Sequence, residues 1–113
     1  MTNVLFVCSA NVDRSPTAEK IYADHPGWEV KSAGVGLYAR THVSADLVQW
    51  SDIIFTMEHH HQQYIEMKYG DIIAGKKLAC LHILDRFPYM HEFLIDAIKG
   101  RVDLWLIENN EQK

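Results

Sequence analysis

Hydrophobic residues in this chain are grouped in short runs that are separated by polar segments containing glycine or proline. Residues 3–8, 52–57 and 77–83 form mostly continuous apolar runs, and residues 28–33 alternate loosely between apolar and polar positions. Such runs are typical of strands in a parallel sheet that is covered on both faces. Between these four predicted strands, helices are predicted at residues 16–23, 45–50, 58–69 and 91–107.

Capping and helix-breaking residues set the expected ends of these helices. Ser15 resembles an N-cap with Pro16 at the first helical position, where the missing N–H costs nothing. Ser44 resembles the N-cap of the short second helix. Gly70 is expected to close the third helix, and the last helix is expected to be interrupted near Gly100.

Strands that alternate with helices predict one α/β domain over residues 1–113. The expected architecture is a three-layer α/β/α fold around a four-stranded, mostly parallel sheet with right-handed crossovers. Ligands of such sheets bind beyond the carboxyl ends of the strands. This rule selects the segments 8–15, 57–61 and 84–89 as the expected binding end.

Composition narrows the class of protein. The 113 residues are 48% hydrophobic and 23% charged, which is the balance of an ordinary globular domain. The net charge is -4, without a run of lysine or arginine, and this argues against nucleic acid as a partner. No run is long enough to span a bilayer and the first residues do not resemble a signal peptide, so we expect no membrane partner and a cytoplasmic location.

The two cysteines are predicted to be reduced, because two thiols are a poor disulfide framework. Cys80 lies in an apolar run and is interpreted as a core residue. Cys8 ends the first predicted strand, where it is free to take part in chemistry.

The segment CSANVDRSP, which joins the first strand to the first helix, predicts an anion site. Successive backbone N–H groups at such a junction can form a concave nest that faces the helix N-terminus. Arg14 adds a planar guanidinium that can hold a phosphate bidentately. The positive surroundings stabilise the thiolate of Cys8, which is then placed for in-line attack on phosphorus.

These residues carry a family resemblance. A cysteine, five residues and Arg-Ser-Pro, preceded by VLFV and followed by Thr17-Ala18-Glu19, resembles the signature loop of the low-molecular-weight protein tyrosine phosphatases. The segments 32–34 and 52–57 resemble the second and third strands of that family, and the flavodoxin-like fold follows from the resemblance. The likeness is nearest to a short bacterial branch.

The resemblance implies a role for each residue of the loop. Cys8 is the implied nucleophile and Arg14 the implied clamp on the transition state, while Ser15 bonds the thiolate and Asn11 keeps the loop in shape. The implied phosphate-binding residues are Ser9, Ala10, Asn11, Val12, Asp13, Arg14 and Ser15.

The family's general acid corresponds to Asp85, which follows the fourth predicted strand. The family pattern places proline directly after this aspartate, whereas Arg86 follows it here. Phe87 and Tyr89 are candidates for a substrate wall that stacks on an aryl phosphate. The loop between residues 33 and 52 is shorter than in full-length members of the family. Tyr38 and Arg40 are the candidates that remain there for the substrate wall.

Two further features bear on these predictions. Asp13 stands where longer members carry a second cysteine, and its carboxylate repels a dianionic substrate unless it turns to solvent or pairs with a base. Residues 59–61 are three consecutive histidines, which point in different directions on a helix and do not converge on a metal. They are interpreted as a solvated helix start, one of which could touch the substrate.

Three functions are compatible with the sequence. The first is a phosphatase that hydrolyses a phosphorylated protein or a small aryl phosphate through a cysteinyl-phosphate intermediate, without cofactor or metal. The second is a non-catalytic module that binds phosphorylated ligands in the same nest. The third is thiol-dependent arsenate reduction, for which only Cys80 is available as a resolving thiol.

Overall fold

The computed structural model describes residues 1–109 and confirms the alternation of strands and helices. The strands are β1 (Thr2–Cys8), β2 (Trp28–Gly34), β3 (Ile53–Thr56) and β4 (Lys77–Cys80). The helices are α1 (Arg14–Ile21), α2 (Ala45–Trp50), α3 (His59–Ile73) and α4 (Glu92–Glu108).

The four strands form one parallel sheet in the order β2-β1-β3-β4. Val4 of the central strand β1 pairs with Val30 on one side and with Ile53 on the other. After β1 the chain forms β2 at one edge of the sheet, and it then crosses to the other side of β1 to form β3 and β4. The end of β1, at Cys8, lies at the point where the strand order reverses, which is where open α/β sheets bind ligands.

Two hydrophobic cores, one on each face of the sheet, explain the uninterrupted apolar run of β1. Val4, Phe6 and Cys8 face the core that is shared with α1 and α4. Leu5 and Val7 face the core that is shared with α2 and α3. Since successive side chains of a strand point to opposite faces, a strand with cores on both sides needs an apolar residue at every position.

Helix α1 begins earlier than predicted. It starts at Arg14, and Asp13 occupies the N-cap position without a capping bond from its side chain, so the assignment of Ser15 as the N-cap is wrong. Pro16 is tolerated because the first N–H groups of a helix have no intrahelical partner in any case. The consequence is that Ser15, inside the first turn, is free to direct its hydroxyl toward Cys8.

Gly100 does not interrupt the last helix, contrary to the sequence prediction, and α4 runs unbroken through it. In α3 the regular helix breaks at Tyr69, whose φ of -125° and ψ of 24° are non-helical, next to the predicted end at Gly70; after this kink the helix continues to Ile73. In α4, Ile98 and Val102, two residues before and two residues after Gly100, are fully buried. Their packing outweighs the cost of about 1 kcal/mol for glycine in a helix.

Strand β4 ends at Cys80, three residues before its predicted end at residue 83. His82 has a positive φ of 57°, which an extended strand does not accommodate. The chain turns there toward the loop that carries Asp85. Within residues 1–109, none of the helices combines the length and the apolar character needed to cross a bilayer.

Gly34, at the end of β2, is predicted to be irreplaceable even by alanine. A Cβ atom at this position would lie 2.4 Å from the carbonyl oxygen of Ser9 and 2.9 Å from the Cβ of Ala39. We expect Gly34→Ala to lower the free energy of unfolding by about 1–3 kcal/mol, as overpacking does. Urea denaturation of the two proteins measures this difference.

Gly100→Ala is the matched control, because a Cβ at this helical position would meet nothing within 4 Å. It is expected to raise the free energy of unfolding by about 0.5–1 kcal/mol. If Gly34→Ala were as stable as the parent protein, the close approach of β2 to the loop after β1 would not be a constraint on the fold.

Candidate active site

The sulfur of Cys8 lies at the base of the loop between β1 and α1. Cys8 is 2% exposed, and its Sγ is 2.9 Å from the Ser15 Oγ and 3.3 Å from the backbone nitrogen of Asn11. Both neighbours come from the loop or from the helix that follows it. The sulfur is therefore held between a hydroxyl and a backbone N–H, the kinds of donor that stabilise an anionic sulfur.

Asn11 fixes the shape of this loop. Its φ of 57° is left-handed, a conformation that asparagine tolerates better than most residues. Its Nδ2 donates to the Ser15 Oγ at 2.9 Å and to the Ser32 Oγ at 3.0 Å, and its Oδ1 accepts from the Thr41 N–H at 3.2 Å. One buried amide thus ties the loop to α1, to β2 and to the segment before α2.

The backbone of the loop is oriented by the segment that follows β2. The carbonyl groups of Cys8 and Ser9 accept from Val35 and Gly36 at 3.0 and 2.9 Å, and the carbonyl of Ala10 accepts from Arg40 at 3.0 Å. A carbonyl points opposite to the N–H of the next residue in a trans peptide. The N–H groups of Ser9, Ala10 and Asn11 therefore point away from the segment after β2. A loop whose N–H groups share one side has the form of an anion nest.

Arg14 is 3% exposed and lies at the first position of α1. Its Nη1 donates to Glu58 Oε2 at 2.5 Å and to the carbonyl oxygen of Ile83 at 2.8 Å. Its Nη2 is 3.5 Å from the Ser9 Oγ, and its Nε is 3.9 Å from Asp85 Oδ1. One edge of the guanidinium is held firmly, while Nη2 and Nε make only long contacts and remain available to an anion.

Glu58 and His61, at the start of α3, support Arg14 and Ser9. The two residues form a capping box: the Glu58 carboxylate accepts from the His61 N–H, and the Glu58 N–H donates to His61 Nδ1 at 2.9 Å. Because Nδ1 is an acceptor, the proton is on Nε2, which donates to the Ser9 Oγ at 2.8 Å. The capping bonds that begin α3 thus also hold two groups of the loop.

The sequence analysis missed these two residues. It placed residues 57–61 at the ligand-binding end of the sheet, but it interpreted the histidines as solvated, which is wrong for His61, a fully buried residue. The available signal was an acid with a histidine three residues later at a helix start, which has the spacing of a capping box. His59 and His60 are exposed, as expected.

The pKa values of Glu58 and His61 are both lowered, but for different reasons. The hydrogen bond from Arg14 lowers the pKa of Glu58 below its ordinary value, so the carboxylate stays charged. Burial, with the nearby positive charges of His60 and Arg14, lowers the pKa of His61 from 6.5 to about 4. His61 is therefore neutral at physiological pH and keeps the tautomer that donates to Ser9.

Asp13 turns away from the nest. Its Oδ1 accepts from the backbone N–H of Tyr89 at 2.9 Å, and one turn later the Thr17 Oγ1 accepts from the N–H of Met90, also at 2.9 Å. These two bonds join α1 to the loop that carries Asp85. The carboxylate thus bonds a backbone N–H, an arrangement that the sequence analysis did not anticipate.

The remaining predicted residues lie at different places around the nest. The Asp85 side chain is 65% exposed and comes near Arg14, whereas Tyr38 is 93% exposed. The Phe87 ring stacks on His91 at 4.8 Å and packs against the core on the side of α4. Tyr89, 48% exposed, borders a groove beside the nest. The structure therefore brings Asp85 to within 3.9 Å of Arg14, and the substrate wall of Tyr38, Phe87 and Tyr89 stays a prediction.

Glu58, His60 and His61 place their potential metal-ligating atoms within 4.8 Å of one another. However, both ring nitrogens of His61 already hold hydrogen bonds, and the Glu58 carboxylate is bonded to Arg14. A metal ion would have to displace the contacts that support the loop. The arrangement fits a structural network better than a metal centre.

Comparison with known proteins gives one sequence relative and many solved structures. No protein-family model matches the chain. The protein-arginine-phosphatase of Bacillus subtilis (strain 168) is 26% identical to it over an alignment that covers 60% of this chain and 63% of that protein. The chain therefore matches less than two thirds of the length of this relative.

Two solved structures share the fold over nearly the full length of both chains. SP-PTP, a low molecular weight protein tyrosine phosphatase from Streptococcus pyogenes, superposes with a TM-score of 0.75 at 16% identity, over 96% of this chain and 93% of that one. The YwlE arginine phosphatase from Geobacillus stearothermophilus superposes with a TM-score of 0.66 at 21% identity, over 96% and 97%. The chain has the fold of the low-molecular-weight tyrosine phosphatases, which confirms the fold that the resemblance implied.

Acidification is predicted to destabilise the protein through His61. The unfolded chain binds a proton at this histidine near pH 6.5, whereas the folded chain resists it down to about pH 4. This contribution to stability is complete above pH 6.5 and is lost as the pH falls toward 4. By linkage it accounts for about 2 kcal/mol of unfolding free energy between pH 7 and pH 5. Urea titrations of the parent protein and His61→Gln at both values measure it.

Glutamine at this position retains the acceptor of a capping box and has no proton to bind in this range. We therefore expect His61→Gln to lose about 2 kcal/mol less than the parent between the two pH values. His59→Gln, a change at the exposed neighbour, is expected to keep the parent's pH dependence. If the free energy of unfolding of the parent and of His61→Gln fell equally between pH 7 and pH 5, the pH dependence would not come from His61.

Proposed function

We propose that this protein is a cysteine-dependent phosphatase that acts on a phosphorylated residue of a protein. The observation that carries the proposal is the position of the Cys8 sulfur at the base of the loop, 3.3 Å from the Asn11 N–H, with Arg14 of the following helix held by Glu58. A nucleophile below an anion nest is the arrangement that phosphoryl transfer to sulfur requires.

In the first step, the Cys8 thiolate attacks phosphorus in line with the leaving oxygen or nitrogen. A sulfur–phosphorus bond forms, the bond from phosphorus to the leaving group breaks, and Asp85 donates the proton that the leaving group takes up. The Nε and Nη2 donors of Arg14 bind the equatorial oxygens, where charge accumulates. The nest N–H groups bind the same oxygens.

In the second step, water hydrolyses the cysteinyl phosphate. Asp85, now a carboxylate, accepts a proton from the water as its oxygen attacks phosphorus, and the sulfur leaves as a thiolate. Inorganic phosphate is released and Asp85 is again protonated. Every catalytic side chain in this cycle belongs to the chain, and the attacking water comes from the solvent.

Ser15 supports the change of charge on the sulfur. Its Oγ is 2.9 Å from the Cys8 Sγ and 3.2 Å from the carbonyl oxygen of Ala33, and it accepts from Asn11. When the sulfur is a thiolate, the hydroxyl proton points to it. When the sulfur carries phosphorus, the same proton returns to the Ala33 carbonyl. The hydroxyl rotates, and no heavy atom needs to move.

Two classes of phosphorylated residue remain as substrates. Phosphotyrosine is favoured by SP-PTP, a tyrosine phosphatase with the same fold, and by Tyr89, an exposed aromatic residue near the nest. Phosphoarginine is favoured by the sequence relative, which is a protein-arginine-phosphatase, and by the arginine phosphatase with the same fold. We place the activity on protein substrates and leave both classes as arms of the experiment below.

The two alternative functions are supported less well. Arsenate reduction needs a second thiol near Cys8, and Cys80 lies on β4, two strand spacings away from β1. This separation is about 10 Å, whereas a disulfide requires Cα atoms within about 7 Å. A non-catalytic binding module would not need Asp85 next to Arg14, and binding without turnover is the result that would favour it.

Turnover of phosphotyrosine and phosphoarginine peptides, with p-nitrophenyl phosphate as a general substrate, tests the proposed function. We expect hydrolysis by the parent protein and a loss of roughly three orders of magnitude or more in Cys8→Ser, since a hydroxyl at this site is a far weaker nucleophile. Cys8→Ser should still bind vanadate, because the nest and Arg14 remain.

Cys80→Ser is the matched control and is expected to keep the parent's activity. Activity that persists in Cys8→Ser would refute the cysteinyl-phosphate mechanism. A parent protein that binds vanadate or phosphopeptide without hydrolysing any of the three substrates would replace the phosphatase with the binding module.

Asp13 is predicted to act as a positioning residue for the loop that carries Asp85. Asp13→Ala removes the acceptor for the Tyr89 N–H, so the general acid is no longer held over the nest. We expect kcat/KM, which reports the first step, to fall about 10- to 100-fold for phenyl phosphate, whose leaving group needs a proton, and much less for p-nitrophenyl phosphate. Steady-state kinetics measure the ratio of kcat/KM for phenyl phosphate to kcat/KM for p-nitrophenyl phosphate in each variant.

Asp13→Asn distinguishes positioning from charge. Asparagine keeps an Oδ1 that can accept from Tyr89, so this variant should retain the parent's ratio between the two substrates. If Asp13→Asn behaved like Asp13→Ala, the charge of Asp13 rather than its hydrogen bond would be the property that matters.

A further inference from the structure

A groove of about 740 Å³ lies beside the nest and has no role in the mechanism above. It opens at the exposed edge of the sheet, between α1, the edge strand β2 and the segment before α2. Its lining includes Asn11 and Val12 of the nest, Lys20 of α1, Lys31 of β2, Arg40 and Tyr89.

The groove borders the loop that forms the nest and shares residues 11–13 with it. Asn11 lines the groove and also donates its N–H to the Cys8 Sγ at 3.3 Å. Val12 and Tyr89 stand at the border, and each is about half exposed, at 50% and 48%. A polypeptide whose phosphorylated side chain enters the nest therefore has room to place neighbouring residues in the groove.

The groove is lined by more positive than negative side chains, and two of the positive ones have no carboxylate partner among residues 1–109. The two carboxylates in its lining are already bonded, Asp13 to the Tyr89 N–H and Glu19 to the Ser32 hydroxyl. Lys20 and Arg40 are exposed, and neither side chain is paired with a carboxylate of residues 1–109. The hydrogen bonds to Asp13 and Glu19 come from neutral donors and leave both carboxylates charged, so the lining holds three cations (Lys20, Lys31 and Arg40) against two carboxylates, a formal net charge of +1. The charges that the groove offers to a ligand are the two exposed and unpaired cations, Lys20 and Arg40.

We propose that this groove binds acidic side chains of the substrate protein, at positions next to the phosphorylated residue. The inference rests on the proposed function and extends it to substrate choice: among phosphoproteins, those with Asp or Glu near the phosphorylated residue are preferred. The occupant is an extended acidic segment, since its carboxylates complement Lys20 and Arg40 while its phosphate occupies the nest.

Two phosphopeptides that differ only in the flanking residues test the proposal. One carries two glutamates on each side of the phosphorylated residue, and the other carries glutamines at the same positions. We expect the parent protein to favour the glutamate peptide in kcat/KM by about three- to tenfold, mainly through KM, as expected for two exposed ion pairs. The preference should fall as salt is added.

Lys20→Gln/Arg40→Gln is expected to abolish this preference. Lys20→Gln alone, at a residue outside the nest and its supports, is expected to weaken the preference and to leave p-nitrophenyl phosphate hydrolysis unchanged. The matched control is Lys99→Gln/Arg101→Gln, which removes one lysine and one arginine from α4, outside the groove. This control should keep the preference. A preference that survives in Lys20→Gln/Arg40→Gln, or that is lost equally in the control, would overturn the proposal.

Failure of the proposed function would be recognised separately. A parent protein that hydrolyses neither p-nitrophenyl phosphate nor the phosphotyrosine and phosphoarginine peptides is not a phosphatase under these conditions, whatever the groove binds. The groove is then tested by binding of the same two peptides, measured by fluorescence anisotropy with the parent and the two double variants. Equal affinity of the parent for both peptides would refute the acidic occupant.

Discussion

The buried charge of Arg14 is the constraint on which the functional end of this molecule depends. A guanidinium that is 97% shielded from water must be compensated by the protein, since an unpaired buried charge is strongly destabilising. Glu58 and the Ile83 carbonyl provide this compensation before any substrate arrives. Because they hold one edge of the guanidinium, the edge formed by Nε and Nη2 is preoriented, and binding an anion requires little reorganisation.

The same set of contacts joins the ends of three strands into one unit. Arg14 follows β1, Glu58 follows β3, and Ile83 follows β4, so the guanidinium connects segments that are far apart in sequence. The capping box of α3 adds His61, which reaches back to Ser9. The start of a helix and the shape of the nest are thus maintained by shared hydrogen bonds, and a change in one is transmitted to the other. Buried polar networks are coupled in this way when all their members are satisfied.

The sequence was sufficient to predict the four parallel strands and their alternation with helices, because these depend on local patterns. The apolar run of β1 and the Ser-Pro at the start of α1 are visible without a structure. The role of Glu58 was not, since its partner Arg14 is 44 residues away and only the strand order brings them together. Gly100 misled the prediction for a related reason: burial of Ile98 and Val102 overrides a local preference of about 1 kcal/mol. Contacts between distant segments decided each of these cases.

The fold does not determine the substrate, because proteins that superpose on this chain carry names of both tyrosine and arginine phosphatases. On the proposed function, the residues around the nest are the candidates for substrate choice. Asp13 lies at this boundary, where its carboxylate joins the loop of Asp85 to α1 through the Tyr89 N–H. Beyond it, Tyr38 is 93% exposed and Tyr89 is 48% exposed, and Lys20 and Arg40 lie on the groove without a carboxylate partner among residues 1–109. Because substitutions of exposed side chains usually change the free energy of unfolding by no more than about 0.5 kcal/mol, the proposed phosphatase can alter its substrate choice there while the fold stays the same.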